Sequence, residues 1–134
     1  MEVENFKKGR EKGVEYLLKQ LSGNGQFGDP ELGVTDYYKV PSAFQVSGET
    51  HSANLLIDWI RKNGFKPDGD FGPRPGDNNI YYYLYFNSWV IIGAQRLGQF
   101  DLSQRGMDFL RRFWDTESGG FYSSRTQREP TTKQ

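Results

Sequence analysis

Carboxylates gather in the glycine-rich stretches of this chain. Asp29 lies in G-Q-F-G-D, Asp68 and Asp70 lie in P-D-G-D-F-G, Asp77 and Asn78 follow, and Asp36 opens an aromatic run. Two carboxylates held together can divide acid and base work between them, and several together can hold a hard cation. The bland use of the same residues is the capping of helix starts and the bracing of turns, where a short acidic side chain accepts backbone N–H groups. A second group is aromatic: Tyr37, Tyr38, Phe44, Tyr81, Tyr82, Tyr85, Phe86 and Trp89. Ring faces stabilise positive charge through their quadrupole and also stack on sugar rings. Half of such a set must pack between elements, because a helix has two sides. Lys39, Gln45, Asn87 and Gln95 are polar groups set into the aromatic stretches. Each must meet a partner or face a wet cavity, since burial without a partner is costly; the cavity is the expectation for Lys39 and Asn87.

Other chemistries find little support. There is no Cys, and the single His51 sits at a helix start, where it reads as a surface residue. A metal site needs three or four converging ligands, so none is expected. The chain holds no phosphate loop, G-x-S-x-G or nucleotide fingerprint, and no cofactor is implied. Its 17 basic and 17 acidic residues balance, which gives no general attraction to nucleic acid or an anionic membrane. The N-terminus M-E-V-E-N-F-K-K-G-R lacks the apolar core of a signal peptide. Together with the absence of Cys this fits a reducing, cytoplasmic setting. The length of 134 residues suits one domain, expected over 1–124, with the polar stretch 125–134 as a linker-like tail or truncation point.

The element around which the rest is organised is Asn79 to Gly98, N-I-Y-Y-Y-L-Y-F-N-S-W-V-I-I-G-A-Q-R-L-G. At helical spacing Tyr81, Leu84, Tyr85, Ser88, Trp89 and Ile92 share one face. Tyr82, Phe86, Val90, Gly93 and Leu97 share another. The run is too long for a buried strand and has no turn signal inside it, so it reads as a central helix covered on every side. Before it come an amphipathic helix over Asn5–Leu21, in which Gly9 and Gly13 weaken the helix or permit close packing, and an aromatic helix from Thr35 or Asp36 to Ser47. Pro41 fits that aromatic helix in its first turn or kinks it. A helix capped by Thr50 or Ser52 runs to Asn63, with Ala53, Leu56, Ile57 and Ile60 as its stripe. After the central helix, Asp101 with Gln104 resembles a capping box that opens a fifth helix to about Trp114.

Three loops repeat one pattern: G-Q-F-G-D at 25–29, G-D-F-G at 69–72 and G-G-F-Y at 119–122. Their phenylalanines lie 71−27=44 and 121−71=50 residues apart, within the range of helical-hairpin repeats. The order is outer, inner, outer, inner, outer, with aromatic inner helices. This is how a double ring of helices is written in sequence.

On these Gly-Phe loops, and on Y-Y-K-V-P-S-A-F-Q-V-S-G at 37–48, the chain resembles the α/α toroid proteins, among them squalene-type terpene cyclases and protein prenyltransferase β subunits. The resemblance is a pattern of repeats spanning nearly the whole chain. It implies an all-α, toroid-like fold, here an incomplete ring of about five helices whose open ends favour self-association. It also places Asp29, Asp36, Asp68, Asp70, Asp77 and Asn78 at the rim of a central cavity. The function it implies is the binding of an apolar or polyene substrate by Tyr37, Tyr38, Lys39, Tyr81, Tyr82, Tyr85, Asn87 and Trp89, with Asp70 or Asp36 as the acid. The aspartate-rich D-x-D-D motif of the cyclases is absent, Asp68-Gly69-Asp70 being a partial echo, and the prenyltransferase zinc ligands do not carry over. Two alternatives stand beside this enzyme reading: a six-hairpin-type carbohydrate-active protein with sugar-stacking aromatics, and a non-catalytic helical-repeat module that self-associates.

Overall fold

A computed structural model describes residues 2–75 and 83–122. Asp77, Asn78, Tyr81, Tyr82 and the tail 125–134 lie outside the described residues. The described chain is helical: α1 (Glu2–Gln20), α2 (Val34–Tyr37), α3 (Val40–Val46), α4 (Thr50–Asn63), α5 (Tyr83–Arg96) and α6 (Phe100–Arg111). No described helix is long and apolar enough to cross a membrane.

The core follows from the stripes. In α4, Ala53, Leu56, Ile57 and Ile60 are fully buried, as positions three and four apart on one face must be when that face packs. In α6, Leu102, Phe109 and Leu110 do the same, and Gly106 lets Ile91 of α5 come close. Helix α3 packs on α4, α5 packs on α6, and α3 and α5 pack on each other. The result is two hairpins side by side. Across the junction Arg61 pairs with Asp101 (2.7 Å), and Gln99 donates to Asn54 (3.2 Å).

Several expected boundaries change. The aromatic segment 35–47 is two helices, because Pro41 has no N–H and its ring conflicts with the carbonyl four residues back, that of Tyr37. The helix restarts at Val40 with Pro41 in its first turn. Thr50, Ser52 and Asp101 do not cap: Glu49 and Gln99 occupy the N-cap positions of α4 and α6 with no side-chain cap hydrogen bond, and Asp101 turns outward to Arg61. The central helix is not covered all round. Phe86, Val90 and Gly93 are buried, whereas Tyr85 and Ile92 are exposed. Helix α1 has no buried residue, and Gly9 and Gly13 meet nothing among the described residues.

The repeat seen in the sequence is a repeat of backbone. Each Gly-Phe loop closes on an isolated antiparallel bridge: Leu21 with Phe27, Phe65 with Phe71, Trp114 with Phe121. Within them Ser22 N donates to Gln26 O, Lys66 N to Asp70 O and Asp115 N to Gly120 O, at 2.8, 2.9 and 2.8 Å. Gly25 and Gly69 hold the turn at φ 90° and 92°, a conformation other residues rarely adopt. Each is also pressed on the next hairpin, where an added Cβ would lie 2.2 Å from the carbonyl oxygen of Leu55 or Arg105. Loop 1 is thus seated on α4 as loop 2 is seated on α6.

Candidate functional site

The three loops separate structural acids from the one that is free to do something else. Asn24, Asp68 and Ser118 occupy equivalent positions, and each accepts the backbone N–H two residues on (Gln26, Asp70 and Gly120, at 3.1, 3.1 and 3.2 Å). Asp68 is therefore a turn brace that Asn or Ser replaces elsewhere. At the position of Asp70 the other loops carry Gln26 and Gly120, so the turn asks only for backbone N–H and carbonyl groups there. Its carboxylate has another use.

Asp70 is fully buried. Its Oδ1 accepts from Phe71 N (2.8 Å) and Asn87 Nδ2 (2.9 Å) and faces Arg74 Nη2 at 3.4 Å. Its Oδ2 accepts from the Tyr83 hydroxyl, with the Lys66 ammonium 3.7 Å away. Tyr83 and Asn87 are four apart on α5, on one helical face, and so reach the same carboxylate. The Arg74 side chain is 4 % exposed. Its guanidinium lies 3.7 Å over the Tyr83 ring and donates to Asn87 Oδ1, while its Nε and Nη1 have no hydrogen-bond partner among the described residues. Burial alone raises the pKa of Asp70. The hydrogen bonds from Asn87 and Tyr83, the Arg74 charge and the Phe71 N–H outweigh it and hold the carboxyl below the usual carboxylate range. This is an ionised anchor joining the loop after α4 to α5.

A second constellation sits on the exposed side of the two aromatic helices. Tyr85 and Trp89 are one turn apart on α5, and Tyr38 comes from the link between α2 and α3. Tyr38 is fixed by Phe86, ring centres 4.7 Å apart, and by Tyr85 at 5.7 Å. The Lys39 ammonium stands among the three rings, 5.4 Å from Tyr38, 5.4 Å from Tyr85 and 5.3 Å from Trp89. Hydrogen bonding to the Tyr85 phenol raises the Lys39 pKa, offsetting desolvation, and the same bond lowers that of Tyr85. Tyr85 is 44 % exposed, so the patch opens to solvent.

The residues singled out from sequence fall into three groups. Tyr38, Lys39, Tyr85 and Trp89 come together in the exposed patch. Asp70 and Asn87 come together in the buried one, and Asn87 meets partners there instead of facing the wet cavity expected of it; it shares no solvent-filled space with Lys39. Tyr37 and Asp36 stand apart. Tyr37 is buried edge-on to Trp59 and donates to Gly72 O (2.8 Å); burial pushes its phenol pKa up. Asp36 accepts from Asp29 N (2.9 Å) and leans on Gly28, bracing the first loop. Tyr81 and Tyr82 lie outside the described residues. Sequence reasoning missed Arg74, Tyr83 and Lys66. The spacing of Tyr83 from Asn87 was the available signal for one of them; Arg74 and Lys66, in a loop rich in Gly and Pro, gave none. No group of three His, Cys, Asp or Glu that could hold a metal stands among the described residues. Compared with models of protein families, with curated proteins and with solved structures, the chain matches none.

Proposed function

We propose that the chain is a toroid-like helical-hairpin protein, or part of one, that binds an apolar or polyene substrate on the exposed aromatic face of its inner helices. The observation that carries this reading is the Lys39 ammonium held among Tyr38, Tyr85 and Trp89. A surface that holds a cation between ring faces also stabilises positive charge developing on a hydrocarbon chain laid across it. In this reading Asp70 anchors and does not donate: both its oxygens are engaged, and a carboxyl held below the usual range has no proton to give near neutral pH. Asp36 spends an oxygen on the Asp29 N–H. Binding, with Tyr38, Tyr85 and Trp89 as the contact residues, is the function assigned. The test is a fluorescence titration of the protein with a neutral polyene alcohol and, separately, with an oligosaccharide. Quenching by the polyene that is lost in Trp89→Ala supports the reading; saturation by the oligosaccharide alone supports the carbohydrate alternative and overturns it.

A specific observation also favours self-association. Helix α1 has no fully buried residue, Leu17 and Leu18 being only partly covered by the core, and Val3 and Phe6 are 81 % and 77 % exposed on it. Trp114 and Phe121 stand exposed on the third loop, where Gly119 meets nothing among the described residues although its two counterparts are seated on a helix. Repeat units bury their faces on neighbours, and a second copy is one way to provide them. Sedimentation velocity over a range of concentration tests this; a strict monomer contradicts it.

A further inference from the structure

We propose that Tyr38, Tyr85 and Trp89 form a binding site for a methylated ammonium group, a site that the Lys39 ammonium fills with the chain's own charge. The proposal shares its rings with the substrate face described above and rests on reading that face as one that stabilises positive charge. Three features point to a site and not to a chance contact. The cation stands over all three rings at nearly equal distance, 5.3 to 5.4 Å, so no single ring holds it. The rings come from separate places in the chain, two from α5 and one from the α2–α3 link. And the arrangement is held from behind: Tyr38 packs edge-on against Phe86, which is buried. Removing Lys39 leaves the rings where their packing puts them.

The chemistry selects the ligand class. A primary ammonium is strongly hydrated and gives up water reluctantly. A trimethylammonium group is weakly hydrated, has no N–H to satisfy, and presents its charge through methyl groups that fit against ring faces, which is how aromatic cages take quaternary ammonium ligands. Lys39 is tethered beside Tyr38 and competes from within the chain. If it holds the site about nine-tenths of the time, an outside cation sees the affinity reduced about tenfold. Lys39 is then a built-in competitor that sets the threshold at which a methylated ammonium enters.

The probe is tetramethylammonium chloride, titrated at constant ionic strength against sodium chloride and followed by proton NMR. The methyl resonance moves upfield when the methyl groups lie against ring faces, and the Trp89 indole N–H reports from the protein. Lys39→Ala is expected to bind about tenfold more tightly than the unmodified chain, and Lys39→Ala/Trp89→Ala to lose the methyl shift. Tyr85→Ala in the Lys39→Ala background repeats the test at an exposed ring whose removal leaves the core intact, with helicity by circular dichroism as the check on folding. Equal binding by Lys39→Ala and the unmodified chain, or a methyl shift indifferent to Trp89 and Tyr85, overturns the proposal. A neutral polyene alcohol that fails to bind while tetramethylammonium binds removes the substrate reading alone; the reverse result removes the cation site alone.

Discussion

Replacing Asp70 by Asn is the perturbation whose size the structure fixes best. The two side chains have the same shape, so no cavity opens and the turn, which uses the backbone N–H and carbonyl of this residue, is undisturbed. What is lost is the charge. Arg74, with its side chain 4 % exposed, is left as a buried guanidinium without its carboxylate, and the new amide NH₂ must face donors from Tyr83 or Asn87. Breaking a buried pair from one side costs roughly 3–5 kcal/mol. The Asn carbonyl still accepts one of the bonds, which places the expected loss at about 3 kcal/mol. Against a whole stability of roughly 5–15 kcal/mol this is a large share, equivalent to about 10 °C in Tm for a chain of this size. Urea denaturation followed by circular dichroism measures it. Asp70→Asn/Arg74→Met removes both charges and is expected to recover at least about half of the loss, since no uncompensated buried charge is left behind. A midpoint for Asp70→Asn within about 1 kcal/mol of the unmodified chain, which is the range of a surface pair, would show that Asp70 and Arg74 are not a buried, mutually stabilising pair.

Three further outcomes follow from the same geometry. The folded pKa of Asp70 lies below its ordinary value of 3.8, so its stabilisation is complete above that value and is lost as the pH falls through the folded one. Denaturation below about pH 4 should therefore be steeper for the unmodified chain than for Asp70→Asn, in urea midpoints taken across the acid range. Gly69→Ala and Gly48→Ala both place Ala at positive φ (92° and 84°), but only the first drives a Cβ to 2.2 Å from a backbone oxygen. The expected losses are about 1 kcal/mol for Gly48→Ala and at least twice that for Gly69→Ala, and equal midpoints would deny that loop 2 is seated on α6. Phe6→Ser should leave stability within about 0.5 kcal/mol while lowering any self-association seen by sedimentation, because Phe6 is exposed and touches no core.

The sequence showed the helices and their order because amphipathic stripes such as Ala53, Leu56, Ile57 and Ile60 have a period, and a period survives in one dimension. It showed the loops because a positive φ at Gly25 and Gly69 and a packed Phe at the bridge leave few residue choices. The break at Tyr38–Lys39 was legible only in part, since Pro41 permits either a kink or a fresh start and tertiary packing decides between them. The caps were misread: Asp101 has the residue type of a cap, yet its carboxylate is paired with Arg61 of the neighbouring hairpin at 2.7 Å. The central helix was expected to be covered on every side but is open at Tyr85 and Ile92, since an aromatic side chain looks the same in sequence whether it meets a core or a solvent-facing platform. The Asp70 network was the least legible part. A carboxylate in a Gly-rich loop reads as a turn residue until its counterparts Gln26 and Gly120 show that the turn does not need it, and Arg74 lies in a loop with no period to follow.

The central proposal is that Tyr38, Tyr85 and Trp89 bind an apolar or polyene substrate. Crystals soaked in parallel with an isoprenoid diphosphate and with an oligosaccharide test it directly. Hydrocarbon density is expected across the three rings, with Lys39 moved from its place among them. Density for a sugar on those rings, or an isoprenoid bound elsewhere with Lys39 and Trp89 unmoved, would contradict it.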